Sequence, residues 1–221
     1  MSRIARVVVP GALHHVTQRG NFGSDVFFDD SDRVFFLENL SAYGARANVD
    51  IASYCLMDNH THLLLIPNDP LGLAKLFKPL HMRYSQRLNY RFKRVGLNWQ
   101  GRFFSSPMDK EHSWHAFRYV SANPVRAGMV EQMELYKWSS ARNHIEKSAS
   151  SILTASADWL EMAHNSLRFS QGRSLVSDQM QILKRNTFKN LPTGSSDFIE
   201  DLEGRFGRDL KVRERGRPVK G

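Results

Sequence analysis

The sequence predicts an α+β fold: a ferredoxin-like split βαβ antiparallel sheet with helices on its faces, extended at the C-terminus by further helices. Three observations predict it. Residues 49–57 and 60–66 are apolar runs separated by Asp58-Asn59, a tight-turn signal. Apolar residues recur at helical spacing over 31–47, 71–94 and 110–123. The resulting order is strand, helix, strand, strand, helix, strand, helix, which is the split βαβ order.

The first strand runs from Ala12 to Gln18 and is closed by the turn signal Arg19-Gly20-Asn21, which also offers a cation. His14 and His15 fall on opposite faces of it, so at most one can face a site. The helix over 31–47 has Ser31 or Asp32 available as a cap, with Val34, Leu37, Leu40 and Tyr43 on its apolar stripe. The third strand is apolar on both faces further along, which marks it as central and buried. Within it, His60 and His62 share a face with Leu64 and Ile66. Two imidazoles side by side next to a turn can reach one divalent metal.

The long helix over 71–94 should kink at Pro79 or begin its main part there. Arg83, Arg87, Arg91 and Arg94 are spaced by four, four and three, and form one cationic stripe. Between Leu71 and Lys110 the sole acidic residue is Asp109, so the stripe reads as a phosphate-contacting surface. The glycine-flanked loop 96–102 carries Trp99 and Arg102. Trp99 can stack on a base, a contact of ~1–3 kcal/mol, or plug the core beneath the loop. A fourth strand covers Arg102 to Met108.

In the helix over 110–123, Trp114, Phe117 and Val120 form the packing side, while His112, His115, Tyr119 and Asn123 fall roughly opposite. Pro124 biases Asn123 away from helical geometry and leaves its amide free at the helix end. Residues 124–145 read as a short helical tail. The run Ser148-Ala149-Ser150-Ser151 marks a boundary, which divides the chain into 1–147, a helical extension with linker over 148–194, and 195–221. Asp197 and Glu200 suggest a capping box on a last short helix. The basic tail carries Arg215 and Arg217 flanked by glycine and proline; it can enter a DNA minor groove or act as a disordered solubilising tail.

Composition narrows the partner class. The 221 residues include 31 Lys and Arg against 22 Asp and Glu, a net charge of +9. That excess favours polyanions, nucleic acid or an acidic membrane surface. No apolar run approaches the ~20 residues that span a membrane, and no long apolar signal region opens the chain. A single cysteine, Cys55, excludes an intramolecular disulfide and a multi-cysteine zinc site; in an apolar strand it reads as a small buried hydrophobe. A cytoplasmic protein is the expectation.

Three segments carry a resemblance: Met57-Asp58-Asn59-His60-Thr61-His62-Leu63-Leu64-Leu65; Trp99-Gln100-Gly101-Arg102-Phe103; and Arg118 through Val130, with Tyr119, Asn123 and Pro124 inside it. Together with His15 to Asn21 and Trp138-Ser139-Ser140, they resemble the REP-associated tyrosine transposases, bacterial single-strand transposases of the HUH endonuclease group, over about residues 5–145. The resemblance implies that Tyr119 is the nucleophile, that His60 and His62 are metal ligands, and that Asn123 supplies a third ligand where relatives often carry Gln. It further implies a divalent ion, Mg²⁺ or Mn²⁺, a single-stranded DNA or REP hairpin partner, a 5′-phosphotyrosine intermediate, a nucleoid-associated location, and either a monomer or a homodimer. Thr61, where the family expects a bulky apolar residue, points away from the metal. The DNA contacts expected are Arg19, Arg83, Arg87, Arg91, Arg94, Trp99, Arg102, Arg215 and Arg217, with His112 and His115 as candidate bases. Tyr84 and Tyr90 are alternative nucleophiles among the arginines. A non-catalytic nucleic-acid-binding regulator on the same fold is the alternative class.

Overall fold

A computed structural model of the chain describes residues 6–169 and 178–211. Four strands, β1 (His14–Arg19), β2 (Val49–Met57), β3 (His60–Pro67) and β4 (Phe104–Pro107), form one antiparallel sheet in the order β2-β3-β1-β4. The split βαβ order is therefore realised, with β3 internal. The register sets His62 beside Thr17 of β1 and Cys55 of β2, and His60 beside Arg19 and Met57.

Alternation divides the core between the two faces of the sheet. Val16, Leu63 and Leu65 face helices α1 (Asp30–Ala47) and α2 (Gly72–Arg91), where Phe36, Leu40, Phe77, Leu80 and Tyr84 are buried with them. Leu64, Ile66 and Cys55 face α3 (Lys110–Ser121), whose Ala116, Phe117 and Val120 pack there. The short helices α4 (Asn123–Arg126) and α5 (Ala141–Glu146) follow. Then α6 (Ala157–Arg168) and α7 (Asp178–Lys189) add Ala163, Met180 and Leu183 to the same cluster as Leu64, so the C-terminal helices share the core of the sheet. The last helix, α8 (Ser196–Phe206), buries Leu202 against Val7 and Val9.

Both sheet edges are covered, which removes the hazard of unpaired strand groups. Residues 138–140 line β2, with Leu56 N–H donating to Trp138 O (2.9 Å) and Ser140 N–H to Tyr54 O (3.0 Å). On β4, Thr193 N–H donates to Pro107 O (2.9 Å) and Ser105 N–H to Asn190 Oδ1 (3.1 Å). The expected linker 191–196 is thus docked on the sheet.

Local readings are corrected at three helix features. α2 continues through Pro79 without ending there; Leu76, Phe77, Leu80, Tyr84 and Leu88 are all buried along it, so packing overrides the local penalty. The α1 cap is Asp29, whose side chain accepts from Asp32 N–H (3.1 Å), in place of Ser31 or Asp32. The α8 cap is Ser195, accepting from Phe198 N–H (3.3 Å), in place of Asp197.

Candidate active site

The turn at Asp58 and Asn59 fixes the start of β3. Asp58 O accepts from the N–H groups of Val26 and Phe27 (2.9 and 3.0 Å), its carboxylate pairs with Arg33, and Asn59 donates to Gly23 O (3.0 Å). Gly20 N–H donates to Asn59 O (2.8 Å). A Cβ on Gly20 would lie 2.0 Å from Ser24 O, so this close approach requires glycine.

Beyond the turn, His60 and His62 sit with ring centroids 4.9 Å apart. Tyr119, from α3, presents its ring edge-on to His62 (5.4 Å between centroids) and to His15 of β1 (5.3 Å). Tyr119 is buried with Ala116, Phe117 and Val120. It therefore lies on the sheet-facing side of α3, and the expectation of an opposite polar side is corrected. Of the two histidines on β1, His15 enters the site. His14 is structural: its Nε2 accepts from Val9 N–H (3.1 Å) and its Nδ1 donates to Ala12 O (2.9 Å).

Burial holds these imidazoles neutral. His15 is lowered to about 3, with His60 contributing, and His60 is lowered to about 4, with Arg19 and Lys184 adding to its burial. His62 is lowered well below the usual range by burial and then by His60, His15, Arg126 and Lys184. Neutral imidazole keeps one lone pair. The Thr187 hydroxyl, on α7, donates its proton to Leu183 O (2.8 Å) and so accepts from His15 Nδ1–H (2.8 Å). Neutral His15 then accepts at Nε2 from His62 Nδ1–H (2.9 Å), which leaves the lone pair of His62 on Nε2. For His60, Nδ1–H donates to Asn59 Oδ1 (2.6 Å), and its lone pair is likewise on Nε2.

Asn123 does not have a free amide. It opens α4, and its Nδ2 donates to Tyr119 O (2.8 Å) and Val120 O (3.3 Å), leaving Oδ1 as the acceptor. Among the described residues no group of three His, Cys, Asp or Glu is arranged to hold a metal. A donor set built on His60 and His62 would need an oxygen such as Asn123 Oδ1 to reach three; two neutral imidazoles suit ions such as Zn²⁺, Fe²⁺ or Ni²⁺, and an amide oxygen with water would widen the choice to Mn²⁺.

Burial raises the Tyr119 hydroxyl above its ordinary value, while Arg126, whose guanidinium carbon is 5.3 Å from the ring centroid, opposes that rise. His112 is committed to the α3 cap through Asp109 Oδ1 (2.7 Å). His115 lines a surface groove with Trp114 and Met162. The titratable groups brought to Tyr119 are His15, His62 and Arg126, which corrects the assignment of His112 and His115 as candidate bases.

The arginine stripe is corrected most. Asp32, fully buried, accepts from Arg91 (2.8 Å) and Arg87 (3.4 Å), and Asp29 accepts from Arg91 (2.6 Å). Arg94 donates to Asn98 Oδ1 (2.6 Å). Acids absent from the local sequence arrive from α1, so Arg87 and Arg91 tie two helices together; Arg83 stays exposed without an ion pair among the described residues. Trp99 is the core plug: it is buried against His81 (4.7 Å), Tyr84 (5.7 Å) and Phe36 (6.2 Å), so it offers no face to a base. Tyr84 is fully buried and donates to Val26 O (2.6 Å), and Tyr90 is on the exposed side of α2. Arg19 and Arg102 are exposed; Arg215 and Arg217 lie outside the described residues. No helix among the described residues is long and apolar enough to cross a membrane. Missed by the sequence reading were Thr187, Lys184 and Arg126; only strand parity at His14-His15 hinted at a third imidazole.

Among solved structures, the chain is similar to a REP-associated tyrosine transposase solved bound to a REP hairpin, with 17% identity and a TM-score of 0.53 over 71% of this chain and 93% of that one. It also matches a protein described as a transposase from Deinococcus radiodurans R1, at 14% identity and a TM-score of 0.37, over 67% of this chain and 99% of that one. At 17% identity the likeness to the first concerns the fold alone. No curated protein matches the chain. The family model of IS200-like transposases matches residues 13–123, the segment that contains the sheet, both paired histidines, Tyr119 and Asn123. That is half of the sequence, and the chain belongs to the IS200-like transposase family.

Proposed function

We propose that this transposase cleaves and rejoins single-stranded DNA through Tyr119, acting on REP-type hairpins with a divalent metal. The observation that carries the reading is the edge-on placement of Tyr119 against His62, 5.4 Å between centroids, beside a second imidazole, His60, whose lone pair is directed away from the turn that anchors it. A tyrosine set on two neutral, tautomer-locked imidazoles suits phosphoryl transfer better than it suits packing alone.

In this reading His60 Nε2, His62 Nε2 and Asn123 Oδ1 would hold Mg²⁺ or Mn²⁺, which when bound supplies Lewis acidity to the scissile phosphate. The chain's own residues do the rest. Tyr119 Oη forms a bond to phosphorus and the bond from phosphorus to O3′ breaks. The proton lost by the tyrosine equals the proton gained by the departing 3′-OH. Attack by a different 3′-OH reverses the step and joins strands, so the phosphodiester energy is retained as a 5′-phosphotyrosine. Arg126 favours the phenolate that develops, because its charge opposes the effect of burial on the Tyr119 hydroxyl. Arg19, exposed on the strand position opposite His60, would meet a neighbouring phosphate. The structural neighbour solved with a REP hairpin supports the choice of substrate.

The test is a labelled REP-type hairpin with genomic flanks, incubated with Mg²⁺ or Mn²⁺ and resolved under denaturing conditions. A covalent adduct is expected from wild type and Tyr84→Phe, and none from Tyr119→Phe or His60→Ala. Tight binding without an adduct from any variant would favour a non-catalytic DNA-binding regulator.

A further inference from the structure

The cations that survive the pairing of Arg87 and Arg91 collect elsewhere, along α7. A groove of about 490 Å³ is lined by Arg126, Lys184, Arg185 and Phe188, with Met180 and Gln181. Lys184, Arg185 and Phe188 are exposed, and none of Arg126, Lys184 and Arg185 is in an ion pair with a carboxylate among the described residues. Phe188, 46% exposed, stands edge-on to Phe104 of β4 at 5.3 Å. Across that aromatic pair lies a second groove, of about 370 Å³, lined by Phe104, Arg102, Arg6 and Lys189. The two grooves share the α7–β4 edge and form one positively charged track divided by an exposed ring.

The track reaches the site already described. Arg126, at one end, lies over Tyr119, and Lys184 acts electrostatically on both His60 and His62. At the far end Arg6 donates to Phe103 O (2.9 Å) and lies over the Phe103 ring (3.7 Å); burial and then Arg102 lower it to about 10. A row of cations with no carboxylate partner among the described residues, and an aromatic face exposed among them, suits one class of polymer. Cations follow the phosphates and the ring stacks on an unpaired base, whereas duplex DNA has no free base face to offer.

We propose that the α7 edge, from Arg126 through Lys184, Arg185 and Phe188 to Arg102, seats the single-stranded flank of the DNA substrate, with Phe188 as the stacking platform. The inference rests on the proposed action at Tyr119 for the nature of the polymer, but apart from Arg126 its residues are different and lie largely on a helix beyond the matched family segment.

The experiment measures fluorescence anisotropy with the full-length protein and three labelled probes: a thymidine oligonucleotide of about 16 nucleotides, a REP-type hairpin with a single-stranded flank, and the same hairpin without it. Phe188→Ala should weaken binding of the first two about 5- to 160-fold, the range of one lost base stack, and leave the flankless hairpin unchanged. Phe188→Tyr should restore binding. The double variant Lys184→Ala/Arg185→Ala should flatten the log–log salt dependence on the oligonucleotide by about 1.4, from roughly 0.7 per phosphate contact, while Lys147→Ala, which loses a remote ion pair with Glu161, leaves it unchanged. Circular dichroism melts confirm that each variant is folded. Undiminished binding by folded Phe188→Ala, or equal losses on flanked and flankless hairpins, overturns the proposal. Because binding is read without chemistry, an absent adduct in wild type would sink the Tyr119 reading and leave this result standing.

Discussion

Thr187→Val tests the hydrogen-bonded relay that crosses from α7 to the paired histidines. Thr187 and His15 are 0% and 1% exposed, and valine nearly matches threonine in shape while losing the hydroxyl. The His15 Nδ1–H then faces no acceptor where it had one at 2.8 Å. An unpaired buried donor costs ~1–3 kcal/mol. For a chain of this size each kcal/mol moves the melting temperature by ~2–4 °C, so a fall of about 2–12 °C is expected. The side chain can relieve part of this by shifting its proton to Nε2. That proton would point at His62 Nδ1 and transfer the His62 proton to Nε2, the atom proposed to bind metal. The assay therefore has two readouts on the metal-free protein: thermal melting, and ¹⁵N NMR of the imidazole nitrogens, which distinguishes the tautomers. Thr187→Ser, which keeps the hydroxyl, should behave as wild type in both. A Thr187→Val protein with an unchanged melting temperature and an unchanged His62 nitrogen pattern would refute the relay.

Other outcomes follow from the same geometry. Burial lowers His15 and His81 to about 3 and His14 and His144 to about 4, while in the unfolded chain each titrates near 6.5. Between those values the unfolded chain holds the extra protons, so stability is fully present above pH ~6.5 and falls as pH drops toward 4, by up to ~1.4 kcal/mol per pH unit for each group; urea titrations at pH 7.5, 6 and 5 (conditions of about that range) check the sign, and constant stability across them would contradict it. Arg91→Gln should lower the melting temperature, because buried Asp32 loses its shorter ion pair, yet leave the salt dependence of DNA binding unaltered; a flatter salt slope would return Arg91 to the DNA interface. Tyr84→Phe leaves the buried Val26 O without its 2.6 Å hydrogen bond and should cost ~1–3 kcal/mol in denaturant unfolding without loss of the DNA adduct.

What the sequence determined by itself is local and periodic. The strand at 60–66, its turn at Asp58-Asn59 and the shared face of His60 and His62 are set by a period of two and a turn dipeptide, and the structure keeps all three. The split βαβ order followed from the same patterns. Burial of Cys55 was legible too, since it stands in an apolar run. Tyr119 was picked out by its neighbours in the motif, though its expected polar side was wrong: helical spacing cannot say which arc of α3 the sheet will cover.

Tertiary structure decided which charges are free and which groups meet. Arg87 and Arg91 have no acid near them in sequence, yet Asp29 and Asp32 reach them across the α1–α2 interface, more than fifty residues away. Trp99 occupies a loop whose sequence suits stacking, but the gap beneath it among Phe36, His81 and Tyr84 takes the ring. His15 and Thr187 are separated by 172 residues, and no periodicity links a strand near the start of the chain to a helix near its end. Local patterns report the faces of single elements; ion pairs and buried hydrogen bonds depend on how those faces are brought together, which only the packed core fixes.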